Sequence, residues 1–394
     1  MPSPLLELLQ RRRVIVCAGA GGVGKTTIAA ALALVAAQRG HRVLCLTVDP
    51  ARRLADSLGL DPTCTLPQRV EEGRLVSAGL EMRGSLTALM LDTKSTFDAL
   101  IERQAQSAAA RHRMLENPLY RYIATSLPGT PSYMAMEKLL EVKRDGNYDR
   151  IVLDTPPTSD ALEFLNAPAQ LSDAIDNSTV RWLVEAFQSS RRLSFNLVAR
   201  SAAAILRGMS RLTGRGFLEH VAEFVTDFNP LFGGFGERAR EVARAFRSKE
   251  FAYVILSTPA PVALREARAF AEALWAQQMR VDAWIVNRVH FAARAQPSLE
   301  QIREALSEAG SSPLVGDQPS SPGPDGDHLA RAVRRAFEEE ALQAHLDASH
   351  LSQFSGDLLS FPEQRGIVKV VVPHFGVDVH DLKALHAVGQ CLSR

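Results

Sequence analysis

The sequence predicts an α/β fold: a doubly wound, mainly parallel sheet with a phosphate-loop-like turn and an inserted helical subdomain. Three observations predict it. Short runs rich in β-branched and other apolar residues recur along the chain, with helical patterns between them. Several of these runs are apolar without alternation, as parallel strands covered on both faces are. The first run ends in a glycine-rich turn that opens directly into a helix, "VIVCAGAGGVGKTTIAAALAL" (14–34).

In chain order, strands are expected at Val14–Cys17, Val43–Val48, Tyr148–Asp154, Tyr253–Ser257, Trp284–Val286 and Ile367–Val372. Helices are expected at Thr26–Gln38, Met134–Val142, Leu264–Leu274 and Asp378–Val388. Two stretches do not follow the alternation. Residues 85–127 and 160–248 read as helical insertions forming a subdomain at one end of the sheet. The segment "SSPLVGDQPSSPGPDGD" (311–327) is dense in Pro, Gly, Ser and Asp and reads as a mobile surface loop. With 394 residues the chain has room for one large domain with insertions or for two, and 1–394 reads as a single domain.

Composition excludes several classes of function. Apolar residues make up 46% and charged residues 23%, ordinary values for a globular protein. No run approaches the roughly 18 to 20 apolar residues needed to cross a bilayer. In "MPSPLLELLQRRRVIV" the basic residues follow the apolar stretch, the reverse of a secretory signal, so a cytoplasmic location is expected. With 45 basic and 44 acidic residues there is no global field to attract nucleic acid, which is not expected as a partner. Cys17, Cys45, Cys64 and Cys391 form no Cys-x-x-Cys pair. Cys17 and Cys45 fall in apolar strands, where a thiol is ordinarily a small buried side chain.

The glycine turn satisfies Gly-x-x-x-x-Gly-Lys-Thr through Gly19, Gly24, Lys25 and Thr26. In such a loop backbone amides turn toward a phosphate, and the helix N-terminus adds the positive end of its dipole. Lys25 is the cation for the β/γ oxygens, and the Thr26 hydroxyl is a ligand for Mg²⁺. The nucleotide-binding residues expected here are Gly19, Gly21, Gly22, Val23, Gly24, Lys25, Thr26 and Thr27. Hydrolysis also needs a carboxylate near the metal and a group that orients water. Strand ends in "TVDPARRLADSLG" and "LDTPPTSDALEFL" present Asp49 and Asp154, which makes both candidates for the metal side of the site. Either could instead cap the helix that follows.

Together these stretches resemble the family of arsenical pump-driving ATPases and tail-anchored-protein targeting ATPases, over residues 14 to 388. The resemblance implies ATP and Mg²⁺ as ligands and a homodimer. "DPARRLADSLG" is similar to switch I, which implies that Asp49 polarises the attacking water. "DTPPTSDALEFL" is similar to switch II, which implies Asp154 beside Mg²⁺ and Thr155 to Thr158 sensing the γ-phosphate. "IVNRV" and "VVPHFGVDVHDLKAL" resemble the adenine-binding segments, implying base contacts from Asn287, Pro373 and Phe375. The sequence also departs from the pattern. Ala20 stands where a signature lysine usually reaches across the dimer, and Arg52 and Arg53 follow Ala51 in switch I. One of these arginines, Arg52 foremost, is the candidate replacement in catalysis. The cysteines of an arsenite site, of a dimer-joining zinc clip and of an iron–sulfur cluster are not recognisable.

In the second insertion, Val198, Ala202, Ile205, Met209 and Leu212 form an apolar stripe at helical spacing. Arg200, Arg207, Arg211 and Arg215 fall on the other side, and no acidic residue occurs from Ala186 to Leu218. Such a helix either packs its stripe on the core or offers Val198, Ile205, Met209 and Leu212 to a hydrophobic client or membrane partner. The function expected is ATP hydrolysis that drives binding and release of such a client. The alternatives are the energising subunit of an anion pump and a membrane-positioning ATPase, with peripheral membrane attachment.

Overall fold

A computed structural model describes residues 3–48, 53–105, 107–118, 120–121, 124, 130–157, 224, 237–238, 240–293, 296–310, 324–359 and 366–394. Among the described residues, eight strands form one sheet in the order β3-β4-β2-β5-β1-β6-β7-β8. They are β1 (Val14–Gly19), β2 (Arg42–Thr47), β3 (Gln68–Arg69), β4 (Ser85–Met90), β5 (Arg150–Pro157), β6 (Phe251–Ser257), β7 (Val281–Val289) and β8 (Val368–Pro373). Every pairing is parallel except the short β3 against β4.

The helices cover both faces. They are α1 (Pro4–Arg11), α2 (Lys25–Gln38), α3 (Arg53–Leu58), α4 (Glu72–Ser77), α5 (Thr93–Gln104), α6 (Ala108–Glu116), α7 (Thr130–Asp145), α8 (Pro261–Ala276), α9 (Leu299–Gly310), α10 (Pro324–Leu359) and α11 (Leu382–Leu392). The period-two geometry of a strand divides the core. Ile15 and Cys17 of β1, with Ala252, Val254 and Leu256 of β6, pack with α1, α2 and α11. Val14, Val16 and Ala18, with Phe251, Tyr253 and Ile255, pack with α7 and α8 on the other side. Helix α2 is buried along nearly its whole circumference, because it lies between the sheet and α11. Among the described residues no helix is long and apolar enough to cross a membrane.

The structure differs from the sequence expectation in several places, and β5 runs past Asp154 to Pro157. Ser85–Met90, the start of the stretch read as helical, is strand β4 beside β2. A six-residue apolar run satisfies both periodicities, and the partner that decides between them is remote in sequence. Strand β7 extends well beyond Trp284–Val286 because the buried Asp282 belongs to it. That carboxylate is satisfied by the Arg12 guanidinium at 2.9 Å and by the Tyr253 amide at 3.2 Å. The last helix starts at Leu382, since Asp381 is its N-cap and accepts from the Ala384 amide at 2.7 Å. Helix α10, of 36 residues, begins at Pro324, inside the segment read as a loop. Its Leu342 and Leu346 face solvent while Ala330, Ala344, Asp347 and Phe354 are buried, which hides its period from a hydropathy reading. Residues 311–323 lie outside the described residues, as does most of 160–248.

At the N-terminal end of the sheet, β2 and β5 are joined by charge. The Asp149 carboxylate accepts from the Arg42 amide at 2.8 Å and from its guanidinium at 2.8 Å. These hydrogen bonds lower the Asp149 pKa from 3.8 to about 2. A depressed carboxylate adds stability above its unfolded pKa and loses it as pH falls through the folded one. Asp149→Asn should therefore be less stable than the parent at neutral pH. The gap should close as pH falls from 3.8 toward about 2. Because the pair is more than a third exposed, the gap should stay below about 1 kcal/mol. Denaturant titration across that range checks it, and a gap independent of pH would exclude this origin.

Candidate active site

The parallel register brings three strand ends together around the loop that follows β1. Asp154 in β5 is the register partner of Cys17 in β1 and of Thr47 in β2. Its side chain is fully buried, and its Oδ2 accepts from the Thr47 hydroxyl at 2.8 Å and the Thr26 hydroxyl at 2.7 Å. Thr26 lies in the first turn of α2, so the carboxylate sits at that helix's N-terminus. Hydroxyl donors and the positive end of a helix dipole both favour negative charge at such a place. Burial first, and then the charge on Asp154, push the Cys17 and Cys45 thiols well up, so both remain protonated packing groups.

Close backbone contacts shape the loop. Gly19 lies against β6, where a Cβ would come within 2.4 Å of the Leu256 carbonyl oxygen. Gly24 has φ 89°, in the left-handed region, and a Cβ there would lie 2.4 Å from the Asn287 amide nitrogen. That amide donates to the Val23 carbonyl at 2.9 Å, which pins the loop to the end of β7. The Lys25 ammonium donates to the Ala20 carbonyl at 2.9 Å, so the lysine is folded over its own loop. The Ala20 side chain is buried in the core beside α2. Thr155 donates its hydroxyl to the Cys17 carbonyl at 2.9 Å and ties β5 to β1.

Beside the loop opens a cavity of about 600 Å³. Gly24, Thr26, Thr27, Asn287, Pro373 and Phe375 line it, which unites the loop with all three residues expected at a base. Arg53, Asp56 and Ser57 of α3 border it from the switch I side. Gly19, Gly21, Gly22 and Val23 form the turn itself and do not line this cavity. Asp49, Arg52 and Thr158 lie outside the described residues, as do Val198, Ile205, Met209 and Leu212.

Sequence reading missed Thr47. It stands two residues before Asp49 at a strand end, and strand period puts those two on one face; that spacing was the available signal. Arg288, His374 and His380 also border the cavity; their signal was their place in "IVNRV" and "VVPHFGVDVHDLKAL", and the pairing of β7 with β8 brings those segments together.

Comparison with known proteins identifies the family. Residues 12–308 match the family described as "Anion-transporting ATPase". The chain is 29% identical over 176 residues to the ATPase GET3 of Malassezia globosa, covering 44% of this chain and 48% of that protein. It is 28% identical over 298 residues to the ATPase ARSA1 of Chlamydomonas reinhardtii, covering 71% of this chain and 35% of that protein. A Chlorobaculum tepidum protein, named for the arsenical pump-driving ATPases, is 31% identical over 164 residues, covering 41% of this chain and 36% of its own. The chain thus spans about half the length, or less, of these relatives. The family match extends from two residues before β1 into α9, and so includes the glycine loop, Asp154 and Asn287. With three quarters of its length inside that match, the chain belongs to the anion-transporting ATPase family.

Proposed function

We propose that this chain is a Mg²⁺-dependent ATPase that hydrolyses ATP to ADP and phosphate, and that a homodimer uses the cycle to bind and release a hydrophobic client. One observation carries the enzymatic part. Thr26, Thr47 and Asp154 meet at the N-terminus of α2, next to a cavity walled by Asn287, Pro373 and Phe375. A hydroxyl and a carboxylate are hard oxygen donors, a set that suits Mg²⁺ better than a soft metal. When bound, the ion neutralises charge on the β and γ oxygens.

In this proposal the chain's own residues take the following roles. Backbone amides of residues 21–27 cradle the phosphates, and the Lys25 ammonium leaves the Ala20 carbonyl to take a β/γ oxygen. Thr26 and Asp154 hold the metal side, and Thr47 keeps the carboxylate oriented. Pro373 and Phe375 offer apolar surface to the base, with Asn287 at its edge. Asp49 is assigned to orienting water, and Arg52 or Arg53 to the charge on the transferring phosphoryl group. Resemblance to the tail-anchored-protein targeting ATPases supports the client reading, with Val198, Ile205, Met209 and Leu212 as its surface.

Steady-state hydrolysis by the full chain with and without Mg²⁺ tests the activity, and calorimetry with ATP tests the site. Lys25→Ala should weaken ATP binding by at least about tenfold, equivalent to 1.4 kcal/mol, because it removes the flexible cation. Unchanged affinity would refute the phosphate-loop assignment.

Gly24→Ala should cost about 1–2 kcal/mol from its left-handed backbone alone, and it also displaces the Asn287 amide. Melting temperature and ATP affinity should both fall. If neither moves, Gly24 does not hold the loop as described.

Alanine at Arg52 or at Arg53 should lower turnover by about tenfold or more, 1.4 kcal/mol in the barrier, with little change in ATP affinity. Parent turnover in both variants, measured at saturating ATP, would mean that neither arginine replaces the signature lysine.

A further inference from the structure

The ends of β7 and β8 carry a histidine pair that the ATPase reading does not use. Val289 and Pro373 are register partners, so the residues that follow them, His290 and His374, emerge side by side. The His374 amide donates to the Val289 carbonyl at 2.9 Å, and the two imidazoles stack with centroids 4.5 Å apart and planes 28° from parallel. Helix α10 runs past them and adds Glu340. One ligand atom from each of His290, His374 and Glu340 lies within 4.8 Å of the other two.

A second carboxylate is placed for a different task. Asp347 stands seven residues after Glu340, two helical turns along the same face of α10. It is buried, and its Oδ2 meets the His290 ring at Nδ1 (2.8 Å) and accepts from the His290 amide at 2.9 Å. Its Oδ1 accepts from Gln343 at 3.0 Å. A carboxylate oxygen at Nδ1 favours the tautomer whose proton sits there and leaves the Nε2 lone pair for a metal. Metal-binding histidines are typically oriented in this way.

We propose that His290, His374 and Glu340 form a site for a divalent transition metal, Zn²⁺ by its ligand set, with Asp347 as the positioning residue. Two imidazoles and one carboxylate are a three-ligand zinc set that leaves a fourth position open, and imidazole disfavours Mg²⁺. Zinc ligands at about 2.0–2.1 Å from the metal stand about 3.4 Å apart in a tetrahedron. Closing from the present spacing of up to 4.8 Å needs movement of these side chains, of which Glu340 and His374 are exposed. The bound metal ties α10 to the ends of β7 and β8. It does so next to the cavity, since His374 lies on the wall between Pro373 and Phe375. The site depends on none of the roles assigned to the phosphate loop.

The test uses the chelator-treated full-length chain and Zn²⁺ itself. Calorimetry in excess Mg²⁺ should give one Zn²⁺ per chain. Cobalt substitution should give visible ligand-field bands without a thiolate charge-transfer band, which separates this site from Cys64 and Cys391. Asp347→Asn should weaken Zn²⁺ about 10- to 100-fold, and His290→Ala or His374→Ala by more than that. Glu340 is exposed, so Glu340→Gln should keep the fold, checked by circular dichroism, and still lose affinity at least tenfold, on the order of an outer carboxylate's effect. Absence of stoichiometric Zn²⁺ binding, a thiolate band, or parent affinity in Glu340→Gln and His290→Ala would each overturn the proposal.

Discussion

A buried carboxylate holds this site together. Asp154 lies inside a parallel sheet with no solvent contact, where an ion without partners would be strongly disfavoured. Hydroxyls from two other elements answer it, Thr47 from β2 and Thr26 from α2. Those bonds are short only if β1, β2 and β5 hold one register and α2 begins where the loop delivers it. Register, loop conformation and the Asp154 environment are therefore one constraint. Burial, and after it the charge of Asp154, keeps Cys17 and Cys45 neutral as packing groups.

The loop between β1 and α2 is held from three sides. Gly19 gives it room against the Leu256 carbonyl, Gly24 turns it through a left-handed residue, and Asn287 grips it from the far end of β7. Lysine at position 25 spans the loop to the Ala20 carbonyl. At position 20 only the backbone faces the site, since the methyl is packed in the core. A longer side chain there would have to leave that packing. A cation doing the work of a lysine at position 20 would have to come from another segment, and Arg53 borders the cavity.

On the other side of the sheet, α10 links regions distant in sequence. Phe354 meets Trp284 edge-to-face with ring centroids 5.4 Å apart, while Asp347 holds His290. An aromatic contact and a charged one on the same helix fix both its depth and its rotation.

Local chemistry by itself determined the glycine loop, the strand–turn–helix around it, and a strand that carries Asp154, though not its continuation to Pro157. Backbone freedom, helix termini and apolar runs act within a few residues, so "GAGGVGKTT" and "IVLDTPPT" state their own geometry. Tertiary structure alone decided what depends on pairing between distant strands. Ser85–Met90 became a strand because β2 was available to it. Asp282 could remain inside β7 because Arg12 reaches it from the end of α1. Thr47 became part of the site because its register partner is Asp154. His290 and His374 are adjacent only because β7 pairs with β8. Sequence periodicity records which face a residue takes, but not which distant residue lies opposite, and that second fact is set by register and packing.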